Sequence, residues 1–206
     1  MGSTYYKRFR MEVDLRCNPV ASHPATLPPG YRFVEWNDSL LDEHARTKYR
    51  CFRDEIDAVV FPCLGNLDGC RRLMREIRNK VGFLSSATWL IAWDQSPQGL
   101  IWCGTIQTIR SSEDVGTIQN IGVIPSHRGI GLGTSLIQQA MAGLQQHSIT
   151  RGSLEVTSDN SRAVQLYKRL GFHRYKTVYK TIKNPKDLKT KNTSVELAGM
   201  AEPAIF

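Results

Sequence analysis

Residues 128–133 read Arg-Gly-Ile-Gly-Leu-Gly, and they stand where a strand-like pattern ending at Ile124 gives way to a helical pattern from about residue 131. The first N–H groups of a helix have no internal partner, and the helix dipole places partial positive charge there, so such a junction suits an anion. Glycines at 129, 131 and 133 remove the side chains that would keep an anion from those amides. The stretch predicts a strand–turn–helix unit whose turn holds a pyrophosphate-bearing ligand.

The rest of the chain supplies the context for that unit. Phe9, Met11, Val13 and Leu15 alternate with Arg8, Arg10, Glu12 and Asp14, the period of a half-buried strand. Asn18 to Gly30 carries four prolines and reads as a linker over the surface. A short strand is expected at 31–36, a helix over about 39–53 with Asp38 as N-cap, and a second helix over about 67–80 striped by Leu67, Cys70, Leu73, Met74 and Ile77. Strands at 87–93 and 100–110 flank a turn cluster and form an antiparallel hairpin. A strand at 117–124, a helix at 131–146, a strand at 153–157, a helix at 160–169 and a last strand at 172–182 complete the pattern. Such an order predicts an α/β (α+β in some schemes) fold: a mixed, mostly antiparallel sheet flanked by about four helices, with an extra N-terminal strand. The division is 1–30 (strand and Pro-rich linker), 31–183 (the ligand-binding domain) and 184–206 (a C-terminal tail). The strand from Tyr5 to Leu15 is expected to add to a sheet edge, in its own subunit or in a homodimer.

Composition narrows the function classes. The chain has 206 residues, 41% hydrophobic and 22% charged, ordinary for one globular domain. No apolar run approaches the roughly 20 residues of a membrane span, and the amino terminus has no signal-peptide core. Five scattered cysteines without ligand spacing predict a reduced, cytoplasmic protein with no metal. The net charge of +8 comes from dispersed Lys and Arg, densest from Arg174 to Lys191, which makes nucleic acid a minor expectation.

Known glycine-rich designs separate by spacing. The G-x-G-x-x-G dinucleotide fingerprint fails because Gly129, Gly131 and Gly133 are spaced two and two, and the P-loop fails for want of a Gly-Lys pair. What remains, Ile121-Gly-Val-Ile-Pro-Ser-His-Arg-Gly-Ile-Gly-Leu-Gly133, resembles the acyl-CoA loop of the GNAT acetyltransferase superfamily, with Arg128, Gly131 and Gly133 at its [QR]-x-x-G-x-[GA] positions. Asn160-Ser-Arg-Ala163, Leu166-Tyr167 and Leu170-Gly171-Phe172 are similar to that family's closing element. The resemblance covers roughly residues 30–182.

The resemblance implies a GNAT fold, acetyl-CoA as cosubstrate and acetyl transfer to an amine. It places the amides of Arg128, Gly129, Ile130, Gly131, Leu132, Gly133 and Thr134 on the CoA pyrophosphate, the main chain of Ile121 and Val123 on pantetheine, and an N–H near Ile121 on the thioester carbonyl. Gly122 is where a bulge or a close ligand approach is expected. Asn160, Ala163 and Tyr167 share one helix face. By the resemblance Asn160 bonds the pantetheine arm, besides its N-cap role, and Tyr167 is the general acid that protonates the departing thiolate; by spacing alone Tyr167 is a core aromatic.

One departure stands out. Many relatives of that family carry an acidic residue on the strand before the loop, but Thr117-Ile-Gln119-Asn120 has no carboxylate. Glu155, or the group Asp54, Glu55 and Asp57, is left to serve as base, and the alternative for that group is a solvated helix end. The leading expectation is an N-acetyltransferase for a small-molecule amine. A protein or peptide amine as acceptor, a non-catalytic acyl-CoA-binding module and an RNA-associated protein are the alternatives.

Overall fold

The fold is described from a computed structural model, over residues 3–183 except 22, 96 and 98; the 184–206 tail lies outside the described residues. Seven strands form one sheet: β1 (Ser3–Asp14), β2 (Tyr31–Glu35), β3 (Trp89–Trp93), β4 (Ile101–Arg110), β5 (Val115–Val123), β6 (Arg151–Thr157) and β7 (His173–Lys183), in the order β2-β3-β4-β5-β6-β1-β7. Every neighbouring pair is antiparallel except β5 with β6, which is parallel. Five helices flank it: α1 (Leu41–Phe52), α2 (Ile56–Val60), α3 (Leu67–Arg78), α4 (Leu132–Gln146) and α5 (Ser161–Arg169). The sequence pattern places four of them within about two residues; the five-residue α2 carries too little periodicity to be read.

The N-terminal strand is not at a sheet edge. β1 sits between β6 and β7 and pairs with both, Phe9 opposite Val156 on one side and Thr177 on the other. Its alternation explains the placement: Met11 and Val13 are buried against α4 and α5, and Arg8 and Arg10 face the other side of the sheet. The Pro-rich segment is docked as well. Val20, Ala21 and Leu27 pack on the core, Asn18 Nδ2 donates to the Leu170 carbonyl at 2.8 Å, and Ser135 Oγ donates to the Thr26 carbonyl. Buried apolar contact outweighs the surface run expected of a proline-rich stretch, at roughly 25 cal/mol per Å².

Two cores result. One joins β1, β4, β5 and β6 to α4 and α5 around Leu136, Ile137, Leu154 and Phe172. The other joins α1 and α3 to the opposite face around Ala45, Met74, Ile77 and Ile109. Within that second face lies a buried polar layer. His44 Nδ1 meets Thr105 Oγ1 at 2.9 Å, Gln107 Nε2 reaches the same two groups, and Lys48 Nζ donates to Asn120 Oδ1 at 2.8 Å. His44 and Lys48 are fully buried.

Candidate functional site

The parallel pairing of β5 with β6 runs only from Val115–Arg151 to Ile118–Leu154. Beyond it the strands part, and the β6-facing main-chain groups of residues 119–123 have no strand partner. A bulge starts the divergence: Gln107 pairs with Asn120 and Thr108 with Ile118, leaving Gln119 as the extra residue. The expectation that Gly122 marks a bulge is therefore corrected. Gly122 is a close approach, but of a helix: a Cβ there would lie 2.7 Å from the Cβ of Cys51 in α1.

The cleft between the parted strands is lined by Asn120, Ile121, Glu155, Asn160, Ala163 and Tyr167, with Asp57 and Phe61 closing it from the α2 side. The three residues of the α5 face thus meet the splayed strand as their spacing requires. Asn160 caps α5, its Oδ1 accepting from the Ala163 N–H at 3.2 Å. Gly171, at φ +89°, ends the same helix, and the Phe172 N–H returns to the Tyr167 carbonyl at 3.0 Å. That turn lays the Phe172 ring edge-on to Tyr167, with centroids 5.9 Å apart. Tyr167 is 7% exposed; burial pushes its phenol well above the ordinary value, and the Asp57 carboxylate adds to the shift.

At the head of the cleft the chain turns into α4. Gly129 and Gly131 have φ of +84° and +94°, and no atom lies within 4 Å of where their Cβ atoms would stand. Backbone conformation, with open space beside it, demands these glycines. Gly133 is helical, and a Cβ there would meet Leu166 at 3.3 Å. α4 has no side-chain cap and no acidic residue in its first turn; its first internal bond is Ser135 N–H to the Gly131 carbonyl. The N–H groups of Leu132, Gly133 and Thr134 therefore precede the helix's own hydrogen bonding, and Ile130 at the loop tip is exposed. Uncapped amides, open glycines and an unpaired strand edge fit a diphosphate joined to an extended amide-bearing arm.

Arg128 contributes differently from the loop around it. Its guanidinium donates to the carbonyls of Val123 (2.8 Å) and Cys51 (2.9 Å) and to Glu55. It ties the loop to the end of α1, where carbonyls lack helical partners. The Val123 carbonyl is consequently taken by Arg128.

The acidic residues separate cleanly. Asp54 is exposed beside Arg53, and Glu55 pairs with Arg128. Glu155 is held by two guanidiniums, Arg8 Nε at 3.2 Å and Arg10 Nε at 2.5 Å. Asp57 alone of the α1–α2 group turns into the cleft, accepting from Thr157 Oγ1 at 3.1 Å and from Asn160 Nδ2 at 3.2 Å. Asn120 is held by Lys48, and Gln119 Nε2 is buried without a partner. Among the described residues no cluster of metal-ligating side chains occurs, and no helix is long and apolar enough to cross a membrane.

This fold and cleft are matched by a known family. Residues 55–172 of the 206 match the Acetyltransferase (GNAT) family, and the chain belongs to that family. A mycothiol acetyltransferase of Actinosynnema mirum is 41% identical over 69 residues, 34% of this chain and 23% of that protein. N-alpha-acetyltransferase 30 of Schizosaccharomyces pombe is 33% identical over 72 residues, 35% of this chain and 48% of that protein. The chain thus matches less than half the length of either relative. A solved GCN5-related N-acetyltransferase from Sphaerobacter thermophilus has a TM-score of 0.61 at 18% identity, over 87% of this chain and 52% of that one. The ribosomal-protein-S18-alanine N-acetyltransferase of Escherichia coli has a TM-score of 0.54 at 15% identity, over 74% of this chain and 92% of that one. These structural likenesses speak for the fold.

Proposed function

We propose that the chain is an acetyl-CoA-dependent N-acetyltransferase acting on a small-molecule amine. The observation that carries this is the gap between β5 and β6 beyond Ile118, with Tyr167 at its wall and the uncapped start of α4 at its head. In this reading the amides from Gly129 to Thr134 take the diphosphate, the Arg128 N–H being held by the Pro125 carbonyl at 3.3 Å. The Ile121 main chain, with Asn160, takes the pantetheine arm, and Gly122, whose main chain faces Thr105 of β4, only lets the strand approach α1. Val123 contributes only its remaining backbone polarity, since its carbonyl serves Arg128.

The acceptor nitrogen attacks the thioester carbonyl, and a strand N–H near Ile121 stabilises the oxyanion. The C–S bond breaks and Tyr167 gives its proton to sulfur. Position supports that role: Tyr167 lines the cleft beside Ile121 and Asn160, and its buried phenol is a proton donor at neutral pH. The test is thiol release from acetyl-CoA against pooled amines and peptides. Tyr167→Phe is expected to lower kcat by about 100-fold or more, with the KM for acetyl-CoA nearly unchanged; equal turnover across pH would remove Tyr167 from the mechanism.

Two alternatives have specific support. The likeness to N-alpha-acetyltransferase 30 favours a peptide α-amine as acceptor, and acetylation of peptides in preference to small amines would establish it. The lack of a carboxylate on β5 from Thr117 to Asn120 favours a non-catalytic acyl-CoA-binding module; binding without turnover over the whole panel would select it.

A further inference from the structure

Two carboxylates line the cleft, and they differ in what already satisfies them. Each oxygen of Glu155 accepts from a different guanidinium, Oε2 from Arg8 and Oε1 from Arg10, and its side chain is 11% exposed. Its charge is spent holding β1 to β6, and both of its oxygens are turned to those arginines.

Asp57 is half-buried and has no ion-pair partner among the described residues. Two neutral donors hold it, the Thr157 hydroxyl at the end of β6 and the Asn160 amide at the start of α5. Those two bonds fix the carboxylate against the β6–α5 side of the cleft while leaving lone pairs for another donor. No cation pairs with it among the described residues, although the chain has eight more basic than acidic groups. The titratable groups facing it are Arg8 from β1, which pairs with Glu155 of β6 and whose Nη1 reaches only the Thr157 hydroxyl, at 3.3 Å, and the neutral Tyr167 phenol from α5. None of these supplies the missing cation.

We propose that Asp57 is the docking group and proton acceptor for the amine, so that the acceptor is a compound entering as an ammonium ion. This rests on the acetyl-transfer reading and identifies which group of the cleft receives the second substrate. An ammonium sheds two protons on becoming an amide. Asp57 takes the first, which is the net proton released to solvent in each turnover, and leaves a neutral amine beside the thioester. The second leaves nitrogen as the C–N bond forms and the C–S bond breaks, and it replaces the proton that Tyr167 hands to sulfur. Asp57 thus supplies what β5 lacks, from α2 on the opposite wall.

Benzylammonium serves as the probe, with benzyl alcohol as its uncharged counterpart. In the presence of coenzyme A, calorimetry on the full chain is expected to show benzylammonium binding at least about tenfold tighter than benzyl alcohol, a difference of about 1.4 kcal/mol. Asp57→Asn, which keeps the shape and hydrogen-bonding reach of the side chain, is expected to erase that preference and leave coenzyme A affinity within about threefold. In the thiol-release assay the same variant is expected to raise the amine KM and flatten the acid side of the pH–rate profile. Glu155→Gln is the comparison, expected to leave the preference for ammonium in place. Equal binding of the two probes by the unaltered protein, binding of neither, or an Asp57→Asn protein that still prefers ammonium would each overturn the proposal. Failure of the acetyl-transfer reading would be seen separately, as loss of thiol release by the unaltered protein with every amine.

Discussion

The guanidinium of Arg128 turns away from its own loop to meet the carboxylate of Glu55, 73 residues earlier in the chain, and the Cys51 carbonyl beside it. The loop that opens α4 and the segment that carries Asp57 are therefore joined through one side chain.

Removing the two ends of that link should have unequal effects. The ion pair is about one-third exposed at both ends, with side-chain values of 36% and 37%, so Glu55→Gln is expected to cost at most about 1 kcal/mol of stability. Arg128→Ala also strands two carbonyls and is expected to cost about 1–3 kcal/mol and to weaken coenzyme A binding. Urea titrations of both variants check this, and equal losses would contradict it.

Among the described residues Tyr167 is held by packing, against the Phe172 ring at 5.9 Å between centroids, and not by a hydrogen bond between side chains. Phe172→Ala is expected to cost about 3–5 kcal/mol. Phe172→Leu should retain much of the stability and still lower turnover, because the ring that sets the Tyr167 position is gone. Thermal unfolding paired with thiol release separates the two effects; full activity in Phe172→Leu would show that the edge contact does not position the phenol.

The buried polar layer makes stability depend on pH. Burial, with a smaller contribution from the Lys48 charge, lowers the pKa of His44 to about 3, and burial lowers that of Lys48 to about 7. Both are bases whose charged forms the fold disfavours. The unfolded chain therefore binds more protons between about 3 and 6.5 through His44, and between about 7 and 10.5 through Lys48. Stability should rise with pH through each window, and the penalty is largest below the lower limit. Lys48→Met is expected to remove the rise between pH 7 and 9 and to be more stable than the unaltered protein at pH 7. A rise that persists in Lys48→Met would assign it elsewhere.

The interior position of β1 gives a prediction opposite to the one an edge strand would give. Met11 is fully buried between the layers, so Met11→Ala is expected to cost about 2–5 kcal/mol, and removal of residues 1–17 should abolish folding instead of merely changing the oligomeric state. A folded, stable truncated chain by circular dichroism would contradict the strand order.

What could be read before the structure was local. The strand–glycine–helix junction and the Asn160–Phe172 element depend on helix starts, caps and faces, which are set by neighbours within about seven residues. The bodies of α1, α3 and α4 were legible for the same reason, but the cap expected at Asp38 is made by Asn37, whose Oδ1 accepts from the Ser39 N–H at 2.9 Å, and α1 itself starts without a side-chain cap. Strand order was not: the period-two run at 5–15 states that a strand exists and which side is apolar, but its partners, β6 and β7, are more than 130 residues away in the chain. The bulge at Gln119 and the docking of 18–30 also depend on long-range packing. Nor could the chain alone distinguish Asp54, Glu55 and Asp57. They stand within four residues of one another, and only the turn between α1 and α2 sends one to solvent, one to Arg128 and one into the cleft.

The account stands on the free amides at the start of α4 holding the diphosphate of the acetyl carrier. Calorimetry of the folded chain with coenzyme A and with pantetheine, which has the arm but no diphosphate, tests this directly. The account predicts saturable coenzyme A binding at least about 100-fold tighter than pantetheine, a difference of about 2.7 kcal/mol, weakened by Gly131→Val through strain at a positive φ. No heat with millimolar coenzyme A, or equal affinity for the two compounds, would contradict it.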